Sequence, residues 1–72
     1  MIVEISYEIR SNSETDSLGF IKTYKKHIYL EMPEAVASEA KRGIYDTRIF
    51  TILEAAADLQ DCTLCGIDKV TY

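Results

Sequence analysis

The chain predicts an α+β domain: a small three-stranded antiparallel or mixed sheet with two helices on one face, in the order ββααβ. Three observations carry this reading. Residues 2–10 alternate apolar and polar with period two, the mark of a half-buried strand. Residues from about 47 to 59 repeat apolar side chains at helical spacing. Pro33 and Gly43 then punctuate the chain where a strand must stop and a helix must end.

The elements follow in order. In the first strand, Val3, Ile5, Tyr7 and Ile9 point one way and Glu4, Ser6, Glu8 and Arg10 the other. Residues 11–19 (Ser-Asn-Ser-Glu-Thr-Asp-Ser-Leu-Gly) read as a loop, because short polar side chains compete for backbone hydrogen bonds and Gly19 permits positive φ. Residues 20–32 read as a second strand. Phe20, Tyr24, Ile28, Leu30 and Met32 share one face, and Thr23, Lys25, His27, Tyr29 and Glu31 the other. Pro33 suits a first helical turn, Glu34 and Lys41-Arg42 suit the two ends of the macrodipole, and Gly43 suits the left-handed residue after a helix. The short helix 33–42 is expected to bury Val36, Ala37 and Ala40. A single helix kinked at Gly43 is the alternative.

The second helix has Asp46 or Thr47 as cap. Its Ile49, Phe50, Ile52, Leu53, Ala56 and Ala57 form the most apolar segment and the expected spine of the core. The tail predicts a third strand at about 64–71, with Gly66 marking a bulge or the start of the strand.

Composition narrows the function classes. Seventy-two residues make one domain with a thin core, and 47% hydrophobic with 28% charged residues is a globular composition. Twelve acids against eight bases give a formal charge of -4. That tilts against a phosphate-backbone grip and towards a basic protein surface. No apolar run approaches a membrane span, and Met1-Ile2-Val3-Glu4 has no charged segment followed by an apolar stretch. Two cysteines are too few for a disulfide scaffold, so the expectation is a cytoplasmic protein with reduced thiols.

Chemical motifs are few. Cys62-Thr-Leu-Cys65 is a CxxC, but it follows a helix rather than preceding one. It therefore meets the carbonyl end, and Asp58, Asp61 and Asp68 disfavour a thiolate further. Zinc would need about four ligands, and in a strand the two sulfurs would face opposite ways. The pair therefore reads as packing thiols, with a metal or thiol module as an alternative. His27, the single histidine, has no nucleophile or acid placed beside it by spacing, and reads as a solvated strand residue. The three glycines stand alone, so no phosphate loop is formed. A helix-turn-helix reading of Gly43, Ile49 and Ile52 is opposed by Glu39 at a packing position and by Arg48 as the lone base early in the second helix.

These readings leave a non-enzymatic domain, with no cofactor, that binds a larger protein or ribonucleoprotein complex as inhibitor or regulator. A small nucleic-acid-binding regulator is the alternative. Small, acidic, motif-free domains of this kind occur among phage and mobile-element inhibitors, anti-CRISPR proteins included; the analogy is one of size and charge. The candidate contact residues form two groups. Tyr24, Lys25, Lys26 and Tyr29 interleave aromatic and basic side chains on the second strand, and Glu54, Asp58 and Asp61 form an acidic corner at the end of the second helix. Glu54 and Asp58 are like charges at i,i+4, and Asp58 and Asp61 oppose the helix dipole, a cost that a docking role would explain. An exposed edge strand also allows homodimerisation besides the monomer.

Overall fold

The computed structural model describes all residues, Met1–Tyr72. Its elements are β1 (Ile2–Thr15), β2 (Ile21–Glu31), α1 (Glu34–Lys41), α2 (Thr47–Ala56) and β3 (Cys62–Thr71). The sheet is antiparallel, in the order β2-β1-β3, and the ββααβ arrangement is the expected one.

The first strand is the central one, and its alternation decides the layering. Val3, Ile5, Tyr7 and Ile9 are all buried, whereas Glu4, Ser6 and Glu8 stay partly open on the reverse face. Nine unbroken pairs tie β1 to β2, from Ile2↔Glu31 to Arg10↔Thr23. Register is strict here because a one-residue slip would send the whole apolar set into water.

On the other side β1 pairs with β3, whose register slips twice. Ile9 faces Leu64 while Glu8 faces Gly66, so Cys65 is an extra residue; Tyr7 faces Ile67 while Ser6 faces Lys69, so Asp68 is a second. These bulges explain why Leu64, Ile67 and Val70, three residues apart rather than two, all reach the core. The strand begins at Cys62, two residues earlier than the sequence reading put it.

Pro33 precedes α1, which buries Val36, Ala37 and Ala40. Its end closes in a Schellman arrangement. The Gly43 N–H donates to the Ala40 carbonyl at 2.9 Å, the Ile44 N–H donates to the Glu39 carbonyl at 3.0 Å, and Gly43 holds φ at 87°. The two helices are separate, which removes the kinked single helix. At the start of α2 the Asp46 carboxylate accepts the Arg48 N–H at 3.0 Å.

The second helix stops at Ala56, about a turn short of its apolar run. Ala57 is extended, the Asp58 side chain accepts the Gln60 N–H at 3.2 Å, and the Leu59 carbonyl accepts the Cys62 N–H at 2.9 Å. The chain has to reverse into β3 within these residues, and tertiary connectivity overrides helical periodicity. Ile49 and Leu53 are fully buried; Phe50, Ile52, Ala57 and Leu59 pack partly against the core, and Ala56 is exposed.

Residues 11–15 correct the sequence reading, since they are strand and not loop. Ser11 is buried, and its hydroxyl accepts the N–H groups of Ser13 (3.2 Å) and Glu14 (2.8 Å), holding an irregular segment before pairing resumes at Thr15↔Ile21. The Asn12 N–H donates to the Asp61 carbonyl at 2.9 Å, and the Thr63 hydroxyl donates to the Asn12 side-chain oxygen at 2.7 Å. Polar side chains in this stretch satisfy backbone groups within an extended path, which composition alone reads as a loop. The hairpin therefore projects, and the molecule measures 42 × 20 × 18 Å.

Candidate functional site

The basic-aromatic stretch of β2 is divided by the pleat. Tyr24 and Lys26 lie opposite Ile9 and Tyr7, on the side that carries the helices; Lys25 and Tyr29 lie opposite Glu8 and Glu4, on the open face. The four predicted contact residues therefore serve two surfaces and not one.

On the helix side, cover runs out along β2. Leu30 is buried, Ile28 is half-buried, and Lys26 and Tyr24 are exposed. Beyond this limit a shallow concavity of about 270 Å³ opens, lined by Ile9, Tyr24, Lys26, Asp58, Gln60 and Cys62. Asp58 reaches it because α2 has already ended. Burial raises the Tyr7 hydroxyl above its ordinary range, and the Asp58 charge adds to that. The Tyr24 hydroxyl donates to Glu14 at 3.0 Å, and this bond holds its proton more firmly than usual. Lys26 lies 5.9 Å from the Tyr24 ring centroid.

On the open face, Lys25 bridges all three strands. Its ammonium lies 2.7 Å from Glu8 on β1 and 3.0 Å from Asp68 on β3, and these two bonds raise its pKa. Asp68 is one of the two bulge residues, so the bulge brings its carboxylate to this lysine. Tyr29 is 68% exposed, and the Glu4 carboxylate that it faces raises its pKa. His27 is exposed on the same face, opposite Ser6.

The acidic corner is looser than its spacing implies. Glu54 is exposed on α2, but Asp58 lies past the helix end, so the i,i+4 repulsion does not arise. Asp61 takes φ of 54° in the turn into β3, and its carboxylate accepts the Ser13 hydroxyl. It fastens the hairpin to β3, a role its position in the sequence does not reveal. Arg48 is similarly engaged: it pairs with Asp46 at 2.6 Å and with Glu39.

Cys62 packs against the core and Cys65 is exposed; both are free thiols. Cys62 pairs opposite Ser11 and Cys65 occupies the first bulge. No group of three or more His, Cys, Asp or Glu side chains gathers at metal-binding distance.

The connection between the first two strands, read from the sequence as a loop over 11–19 whose length invites a role in contact, narrows to a tight turn at the hairpin tip. Residues 16–19 form a turn in which the Gly19 N–H donates to the Asp16 carbonyl at 3.0 Å. The Asp16 carboxylate accepts the N–H groups of Leu18 (2.8 Å) and Phe20 (3.0 Å), and the Asp16 N–H donates to the Phe20 carbonyl at 2.7 Å. Gly19 holds φ at 86°. This lock displays Leu18 (79% exposed), Phe20 (68%) and Ile21 (54%) in water. Phe20, read from the sequence as sharing a strand face with Leu30 and Met32, instead precedes β2 and stands in solvent.

No protein-family model matches the chain, and no curated protein or solved structure matches it.

Proposed function

We propose that this chain is a non-enzymatic binding protein that inhibits or regulates a larger protein or complex, and that its projecting hairpin is the docking element. The observation that carries the reading is the locked tip. Three large apolar side chains are held in solvent by four hydrogen bonds centred on Asp16. Exposed apolar groups gathered on a rigid projection favour association, because burial against a partner recovers their transfer free energy without a large ordering cost. The acidic residues near the arm, Glu14, Asp16, Asp58 and Asp61, suit a partner whose apolar cleft has a basic rim. The engagement of Arg48 by Asp46 and Glu39 leaves α2 without a free base early in the helix, which favours a protein over a nucleic-acid partner. An anti-defence inhibitor carried by a phage or mobile element fits this size and charge.

The test uses a Leu18→Ser, Phe20→Ser double variant. Affinity capture from host lysate with mass spectrometry identifies the protein retained by the parent chain, and calorimetry with that purified partner gives Kd for both forms. Each anchor should contribute about 2 kcal/mol, about 30-fold in affinity, so the double variant should bind several hundred-fold more weakly with an unchanged far-UV spectrum. Equal affinity of the two forms would remove the hairpin from the reading.

A further inference from the structure

The two edges of the sheet are unequally defended. Along β3, the bulges at Cys65 and Asp68 interrupt the ladder twice, a common way to refuse a further strand. Along β2, residues 23–31 keep unbroken register with β1 and contain no proline, glycine or bulge. No strand pairs with that edge, because β2 is the terminal strand in the order β2-β1-β3. The remaining guard is the lysine side chains, and only one of them, Lys25, is tied down by carboxylates. Lys25 is held across the open face by Glu8 and Asp68, and Lys26 lies over the Tyr24 ring.

We infer that the β2 edge accepts an extended acidic segment of a partner protein as a fourth strand. The occupant follows from charge. β2 carries Lys22, Lys25, Lys26 and His27 against Glu31 alone, in a chain that is acidic overall. Neither Lys22 nor Lys26 is ion-paired, so both can face carboxylates on an added strand. A second copy would bring three more lysines to the same edge, and like charges facing each other across strands are destabilising. Backbone bonds would supply the affinity, and alternate side chains the selectivity. On the helix side the incoming strand meets Tyr24 and Lys26 and then Ile28 and Leu30, so it should carry acids at one end and aliphatic residues at the other. This edge is separate from the hairpin tip, and the inference does not rest on tip docking.

The probe is a synthetic peptide of about ten residues, alternating glutamate with threonine in one half and valine with threonine in the other. A matched peptide with lysine for glutamate is the control. In ¹⁵N-labelled protein, the acidic peptide should shift amide signals along residues 23–31 and leave β3 still. The Lys22→Glu, Lys26→Glu double variant, with both positions exposed, should bind about tenfold more weakly with its spectrum otherwise intact. The Leu18→Ser, Phe20→Ser variant should bind the peptide as the parent does, which separates this site from the tip. Four results would overturn the inference: no shift at millimolar peptide, equal binding of the lysine peptide, a self-associated species that the peptide dissolves, or tighter binding of a single-stranded oligonucleotide at the same residues.

Discussion

Asp46 shows how one side chain can serve twice. Its carboxylate caps α2 through the Arg48 N–H and also pairs with the Arg48 guanidinium. The guanidinium contact comes first in holding the Asp46 pKa below the usual carboxylate range, and the backbone bonds assist. A carboxylate depressed in the folded state stabilises it above the unfolded pKa, near 4, and the contribution disappears as pH falls through the lower folded value. Asp46→Asn keeps a capping oxygen but loses the titration, so its thermal midpoint should fall less steeply than the parent's between about pH 4 and pH 2. Asp61 presents a related choice. Its left-handed backbone suits Asn nearly as well, and an amide oxygen can still accept the Ser13 hydroxyl. Asp61→Asn should therefore melt with the parent, and Asp61→Lys below it. A charge reversal meant to probe partner binding would at this position also loosen the hairpin, so Asp58 is the cleaner probe of the two.

The elements differ in how openly they are written in the sequence. Alternation at Val3, Ile5, Tyr7 and Ile9 and the Pro33 and Gly43 boundaries identify β1 and α1 because local geometry and burial agree there. The hairpin arm is the opposite case. Ser11, Asn12 and Ser13 have turn-like chemistry, yet Asp61, Thr63 and the buried Ser11 hydroxyl give their groups partners in an extended path. Asp61 and Thr63 lie about fifty residues away in the chain, beyond the reach of any local reading. Ser11→Ala should leave the Ser13 and Glu14 N–H groups without their acceptor, at a cost of about 1 kcal/mol. Amide exchange should accelerate at residues 12–15 while α1 and α2 keep their protection. Uniform acceleration throughout the chain would mean that the arm and the body open together.

For the whole molecule, the candidate contact residues were found in part. Composition marked Tyr24, Lys25, Lys26 and Tyr29, but their division between two faces depends on register with β1. The early end of α2 depends on the reversal into β3, and so does the reach of Asp58 into the concavity. The tip was legible as a polar connection with Gly19 ready for positive φ, but the exposure of Phe20 and Ile21 was not, since both fall in the stretch read as strand. The molecule is a two-layer body whose helices cover part of one sheet face, with an elongated arm beyond it.

The doubly bulged last strand bears on how this molecule can change in length. Losing a residue from a strand ordinarily inverts everything downstream of the gap. Here, excising Cys65 would join Leu64 directly to Gly66 and leave Leu64, Ile67 and Val70 on the partners they already have. The shortened chain should fold, with its denaturant midpoint near the parent's, whereas excising Leu64 would seat Cys65 opposite Ile9 in its place and lower the midpoint through the smaller apolar side chain. Cys65 is thus a spacer the architecture can lose, while Asp68 holds its place through the lysine it reaches. Evolutionary trimming of this domain would accordingly begin at the exposed thiol.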